Sequence, residues 1–498
     1  MDAGTWSILL AGSQVSANVA FVFVTGVTSG GAYAVTVAGF PAGKTCTVTG
    51  GSGTASANVT SVVVACVTTF SIGGSVSGLV GQGLELVLQN FRGSYEGPIP
   101  YTVETLEIDR NGDFVFATHL PSGTYRVGVR LQPHSPAQRC MVRSTDFTIA
   151  AANVTDVEVA CSEFSYVTNA ADNTISAFFV DATTGAIAST GPPVTVGVSP
   201  LAIAGTSDKR YVYVANSTSN DVSAFAVDFG TGALTEIPGS PFAAGTNPRA
   251  LALYYDSYLY VANSGSGDIS VYQIDQSTGV LTPFSPASYA TGAGPGAIAF
   301  GPSGPSGRFL YTANTGDSNI SAFIGYAGPL VPIAGSPFPS GSSVSSLAFG
   351  AGGQFLYAAD ANGGAAAIYG FTIKLPNGDP SAGALTPLAG FPYQLPSCTF
   401  VVADQTGTYL YATTGTDILG YSIDALTGAL NPLSGFPIAV GANVRSVSID
   451  PANQFLYVAN GSTGTVTSFT LNAATGALTP MPGSPFDVGA SADFFATF

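Results

Sequence analysis

From Phe164 onward the chain alternates short apolar runs with clusters of glycine, asparagine, aspartate and proline, and the alternation recurs. Its clearest mark is a strand led by tyrosine. Tyr166-Val-Thr-Asn169, Tyr213-Val-Ala-Asn216, Tyr260-Val-Ala-Asn263, Tyr311-Thr-Ala-Asn314, Tyr357-Ala-Ala-Asp360, Tyr411-Ala-Thr-Thr414 and Tyr457-Val-Ala-Asn460 make seven copies, 46 to 54 residues apart. Each copy divides into four strand-length segments. In the second, residues 210–215 read as a strand, 216–221 as a polar turn, 222–227 as the next strand, 228–234 as a glycine hairpin and 234–237 as an outer strand. Gly239-Ser-Pro-Phe242 then turns the chain inward, and residues 248–253 open the next copy as its inner strand. A repeat of this length with four short strands buries its apolar faces only by stacking on its neighbours, and the pattern predicts a seven-bladed β-propeller over residues 163–498.

The ends of that region predict how the ring closes. The first copy opens at Phe164 with no inner strand before it, while Ser491-Ala-Asp-Phe-Phe-Ala-Thr-Phe498 follows the last copy and matches the inner-strand position. The tail is expected to pair into the first blade and so remove two exposed sheet edges.

Two smaller modules precede the propeller. Residues 69–162 contain alternating runs at 84–88, 113–117 and 124–129, with a Pro-Ser-Gly turn between the last two. They predict a β-sandwich of about seven strands, immunoglobulin-like in shape. Residues 1–68 repeat its second half: 20–24 matches 113–117, 32–37 matches 124–129, and Ala57-Asn-Val-Thr60 matches Ala152-Asn-Val-Thr155. The counterpart of residues 69–93 is missing, so the first module is a truncated sandwich with an open edge. Either the chain begins upstream or another copy supplies the strand. In both cases self-association is expected to cover apolar residues such as Phe21, Phe23 and Val35.

Composition narrows the function classes. Only 8% of the 498 residues are charged, and the net charge is -16 with 13 Lys and Arg. Such a chain repels nucleic acid and anionic membrane surfaces. The uncharged stretch 8–27 reads as two strands of the repeat and not as a membrane span. Cys46 and Cys66 stand in the same context as Cys140 and Cys161. The recurrence predicts one disulfide per module, each closing a loop of about 20 residues at about 3 kcal/mol of stabilisation. Disulfides place the protein in an oxidising compartment: secreted, periplasmic or at the cell surface. No signal peptide is visible, because Met1-Asp-Ala lacks a basic start.

The Tyr-Val-Ala-Asn strands, the Thr-Gly-Ala-Leu hairpins (231–234, 427–430, 475–478) and Gly-Ser-Pro-Phe (239–242, 335–338, 483–486) resemble the YVTN-repeat, lactonase-like seven-bladed propellers, which include the bacterial 6-phosphogluconolactonase type. The resemblance covers about two-thirds of the chain and lies in strands and turns. It implies the fold, and an activity on a sugar lactone at the channel mouth.

The residues themselves offer limited chemistry. Both histidines, His119 and His134, precede the propeller, which excludes an imidazole base within it and departs from lactonase-like enzymes that use histidine. Aligning the inner strands at their entrances places Leu201, Arg249, Gly296, Ser345, Thr399, Arg445 and Asp493 around one mouth of the channel. Arg249 and Arg445 are two of only four propeller arginines, and their planar donor forks suit an anionic or sugar-like ligand. Arg445 and Asp493 either share in that clamp or pair with each other, whereas Arg249 has no evident partner. The strand-ending Asn residues are expected to satisfy turn backbone groups. Asp181, Asp228, Asp275 and Asp424 are expected to order hairpins, and Cys398 to be a small buried thiol. No metal loop and no cofactor site is read.

Two functions follow. The histidine-free propeller and tandem front modules favour a non-enzymatic exported protein whose propeller is a binding or assembly platform. The resemblance and the two rim arginines favour a lactonase-like hydrolase. An open mouth where Arg249, Arg445 and a carboxylate converge favours the second, and a plugged channel the first.

Overall fold

The structure, a computed structural model, describes residues 5–9, 28–39, 43–79, 82–92, 99–133, 140–142, 146–161, 163–228, 231–304, 307–325, 329–362, 366–375 and 381–497. The described residues are almost entirely strand and turn. They divide into two compact units, one reaching to Ala160 and the other starting at Cys161.

In the first unit, the second module forms two four-stranded sheets. One runs in the order Asp146–Ile149, Gly123–Leu131, Leu84–Arg92, Ile99–Ile108, and the other Met141–Val142, Val154–Ala160, Ile72–Ser77, Gly112–Val115. Leu84, Leu86 and Leu88 alternate inward and are fully buried, as are Ile72, Phe116, Val127 and Val157. The pattern reading missed Ile99–Ile108. It is an edge strand that carries Pro100, Glu104 and Glu107, and edge positions tolerate proline and charge.

In the first module, Gly31–Gly39 pairs with Ser52–Ala55 as Gly123–Leu131 pairs with Asp146–Ile149. Its other edge carries Thr5–Leu9 in parallel, at the place Leu84–Arg92 holds in the second module. Thr5–Leu9 therefore stands at one of the two strand positions read as missing. Val35, expected to need cover from another chain, is buried within this one. Phe21, Phe23 and the expected strand 20–24 lie outside the described residues. Cys46 and Cys66 face each other across Lys44–Thr49 and Val63–Thr68 and are joined by a disulfide. Cys140 and Cys161 are disulfide-bonded as well, and Cys398 is a free thiol.

The second unit holds seven blades. In the second, Pro200–Gly205, Tyr211–Asn216 and Asp221–Val227 run antiparallel from the channel outward. Tyr211–Asn216 is buried at every position, because it lies inside its sheet and between two blades. The fourth strand differs from expectation. Gly239-Ser-Pro-Phe242 does not turn the chain inward but splits the outer strand. Leu234–Glu236 and Phe242–Ala243 pair with opposite ends of Asp221–Val227, and Ser240 Oγ accepts from Ala224 N at 3.0 Å in the gap between them.

Adjacent blades are latched by the repeated tyrosine. Its hydroxyl reaches the glycine carbonyl of the next blade's hairpin: Tyr166 to Gly232 at 3.1 Å, Tyr213 to Gly279 at 2.9 Å, Tyr311 to Gly383 at 2.8 Å, Tyr357 to Gly428 at 2.8 Å and Tyr411 to Gly476 at 2.9 Å. Tyr457 to Gly185, at 2.9 Å, carries the latch from the seventh blade back to the first. The two most regular motifs of the sequence are thus the two halves of one contact. The ring also closes by strand pairing. Phe494–Thr497 lies antiparallel to Glu163–Asn169, with Phe495 opposite Val167 and fully buried.

Candidate functional site

The inner strands share an irregularity that builds the site. In five blades one extra residue sits where the inner strand meets the end of the second strand: Leu201, Arg249, Gly296, Ser345 and Arg445. Thr399 and Asp493 stand in the same relation to Thr413 and Thr168, each donating its N–H to the carbonyl that faces the next residue of its strand. A β-bulge leaves its extra residue outside the ladder and re-aims its side chain. All seven residues line one cavity of about 330 Å³ at the channel mouth. The channel is open there, and the volume is that of a small-ligand pocket.

The rim residues differ in how far they are committed. Arg249 is exposed and has no hydrogen bond or ion pair among the described residues. Arg445 is about half exposed, with Nε 3.9 Å from Asp493 Oδ1. Asp493 is mostly buried. Its Oδ2 accepts from Ala170 N at 2.9 Å and from Ser491 Oγ at 2.8 Å, which leaves Oδ1 for Arg445. Ser345 Oγ donates to Thr399 O at 2.7 Å, and Thr399 Oγ1 lies 2.9 Å from Thr413 Oγ1. The two rim hydroxyls are therefore engaged by the protein. The pattern reading did not single out the apolar lining of the same cavity, Ile203, Leu251, Ile298, Leu347, Phe400 and Phe494. The signal was present, since these residues follow the rim positions by one or two places along the aligned strands.

The remaining candidates take structural positions. Cys398 is fully buried, and burial, with the Asp360 carboxylate adding to it, pushes its thiol up to about 12, so it carries no thiolate at neutral pH. Asp181, Asp228, Asp275 and Asp424 each accept backbone N–H groups within their own hairpins. The strand-ending asparagines do something other than cap backbone. Asn216 Nδ2 donates to Asp221 Oδ1 at 2.7 Å and Ser223 Oγ at 2.8 Å, and Asn169, Asn263, Asn314 and Asn460 repeat this pair five and seven residues on. They fasten the second strand to the third through side chains. Asp360, which replaces asparagine in the fifth blade, accepts the Ser342, Ser343 and Asn362 N–H groups instead. His119 lies in the first unit, and His134 is outside the described residues. Among the described residues no cluster of three metal-ligating side chains is found, and no helix is long and apolar enough to cross a membrane.

Comparison with known proteins places this geometry. The family model described as "Lactonase, 7-bladed beta-propeller" matches residues 136–242, 163–300 and 354–481, together more than half of the chain. The stretch it leaves out holds most of the fourth blade, where Gly325-Tyr-Ala-Gly-Pro-Leu330 stands in place of the Thr-Gly-Ala-Leu hairpin. Similar solved structures include proteins of Bacteroides uniformis (17% identity, TM-score 0.57, covering 68% of this chain and 99% of that one) and Bacteroides fragilis (22%, 0.56, 68% and 98%), each assigned as a 6-phosphogluconolactonase. The periplasmic gluconolactonase of Pseudomonas aeruginosa is similar at 19% identity and TM-score 0.52, with 68% of this chain and 99% of that one covered. At these identities the likeness is one of fold. A comparison with curated protein sequences returns no match. Repeat, closure and family match agree, and the chain belongs to the lactonase family of seven-bladed β-propellers.

Proposed function

We propose that this protein opens lactone rings at the channel mouth. The observation that carries the reading is the convergence of Arg249, Arg445 and Asp493 in one open cavity. The family supports it, as do the gluconolactone-type substrates named for similar proteins, which make a sugar lactone the first substrate to try. A histidine-free propeller led to the expectation of a non-enzymatic platform. Lactone opening needs no imidazole, however, and an open mouth weakens that expectation.

The chemistry asks little of the site. In this reading the Arg249 guanidinium, without a partner among the described residues, stabilises negative charge as it forms on the ring carbonyl oxygen. Asp493 Oδ1 takes a proton from the attacking water as the water oxygen bonds to the carbonyl carbon. Collapse of the tetrahedral adduct breaks the bond to the ring oxygen, which leaves with the proton from Asp493. The product is a hydroxy acid, and its new carboxylate faces both arginines. The two disulfide-bonded modules support placing this reaction outside the reducing cytoplasm, in a secreted, periplasmic or cell-surface protein.

The test is pH-stat titration of glucono-δ-lactone and γ-butyrolactone with wild type and Arg249→Ala. The reading expects wild-type turnover above the uncatalysed rate and a loss of kcat/KM of about 100-fold in the variant, the scale of one oxyanion donor. Turnover of no lactone, long-chain lactones included, or equal turnover by both proteins, contradicts it.

A further inference from the structure

We infer that the lactone this site accepts carries an apolar arm of several carbons, held against Ile203, Leu251, Ile298, Leu347, Phe400 and Phe494 while the ring sits at the arginine rim. The inference rests on reading the mouth as the lactone site and specifies its substrate.

Charge and apolar surface are segregated in this cavity. Its three charged residues stand at the strand entrances, Arg249 and Arg445 as bulge residues and Asp493 at the equivalent place. One or two places farther along, each of six inner strands presents an aliphatic or aromatic residue to the cavity, with Ser346 the one polar residue among them. Phe400 and Phe494 meet edge to face with ring centroids 6.4 Å apart, and both are only partly buried, so they present surface to the cavity. Leu251 and Leu347 are likewise partly buried.

An underivatised sugar lactone fits the apolar part of this lining poorly. Each of its hydroxyls loses water on entry and needs a partner in return. The side-chain hydroxyls of the lining are already engaged. Ser345 donates to Thr399 O at 2.7 Å, Thr399 pairs with Thr413, and Ser346 Oγ accepts from Val401 N at 2.7 Å. An alkyl or aryl arm needs no partner and gains from every carbon it removes from water. A cavity of about 330 Å³ accommodates such an arm together with a lactone ring.

Straight-chain carboxylates test the apolar ring without requiring turnover, because their head groups mimic the product at the arginines. Butanoate, hexanoate, octanoate and gluconate are titrated calorimetrically into the intact, oxidised protein. The expected result is a Kd that falls roughly fourfold for each added methylene, with gluconate weakest. Arg249→Ala is expected to weaken the whole series while keeping its slope, and Leu347→Asn to flatten the slope. A wild-type Kd independent of chain length, or gluconate tighter than octanoate, overturns the inference even if Leu347→Asn fails to fold. In pH-stat assays the same preference should appear as γ-octalactone turning over with higher kcat/KM than glucono-δ-lactone. The reverse order overturns this inference and leaves the lactonase reading standing, whereas turnover of no lactone defeats that reading while the carboxylate series still reports on the apolar ring.

Discussion

Tyr457 and Tyr260 hold equivalent places in their blades, and both are fully buried. The Tyr457 hydroxyl donates to Gly185 O at 2.9 Å, whereas the Tyr260 hydroxyl has no partner among the described residues. In sequence, the fourth blade lacks the Thr-Gly-Ala-Leu pattern that supplies the glycine in other blades. Removing one partner of a buried hydrogen bond costs about 1 kcal/mol or more, while removing a hydroxyl that has no partner costs little. Tyr457→Phe is therefore expected to lower Tm by about 2–4 °C, and Tyr260→Phe to leave it unchanged or raise it. Scanning calorimetry of both variants checks the pair, and equal losses would contradict the latch. At this scale the sequence was partly legible. The regularity of Tyr166 to Tyr457 was visible, but the partner of each hydroxyl lies 65 to 72 residues away, or 272 at closure, and only packing brings the two together. The asparagines show the converse. Their residue type suggested backbone capping, and their actual partners are side chains on the adjoining strand.

Within a blade, turns set the register of the strands. Asp450 shows how a turn can also tie stability to pH. It follows the inner strand Val444–Ile449, is fully buried, and accepts N–H groups from Phe455 at 2.5 Å, Gln454 at 2.7 Å and Ala452 at 3.1 Å. Burial still pushes its carboxyl from 3.8 up to about 6, with the Phe455 N–H opposing the shift and the Glu163 carboxylate adding to it. The fold thus favours the protonated form. This contribution to stability is fully present below pH 3.8 and is lost as pH rises through about 6. Its size is on the order of 2–3 kcal/mol. Tm measured from pH 4 to 8 is expected to carry a downward component in wild type that is absent in Asp450→Asn, and identical pH profiles would contradict it. Strand elements were the most legible level of this chain, because alternation and turn residues mark them locally. The split outer strand was not, since Phe242–Ala243 is two residues long and is a strand only through its pairing with Asp221–Val227. The bulges escaped for a similar reason: an extra residue shows only against its partner strand. The mouth positions were still found, because aligning the repeats aligned the bulges.

For the whole molecule, closure turns seven sheets into one body. Phe494–Thr497 supplies the first blade's inner strand, and Phe495 packs with Val167, Tyr457 and Ala492 in the core between the seventh and first blades. Deleting residues 491–498 exposes that core and two sheet edges, and the truncated protein is expected to melt at least about 10 °C lower. An unchanged Tm would contradict closure by the tail. Closure was legible because the sequence begins its repeat one strand late and ends it one strand over. Function was less so, because the motifs that identify the family are latches, hairpins and strand fasteners, whereas the mouth is built from residues that vary from blade to blade. If a guanidinium at the mouth acts on the lactone, the free ion should restore what its removal takes away. Lactone hydrolysis by Arg249→Ala is measured with and without millimolar guanidinium ion, beside Arg210→Ala, whose guanidinium normally donates to Gln276 O at 2.8 Å on the neighbouring blade, away from the mouth. The account predicts that Arg249→Ala is nearly inactive and regains turnover with saturable dependence on guanidinium, while Arg210→Ala keeps wild-type turnover with no response to the ion. Undiminished turnover by Arg249→Ala would contradict it.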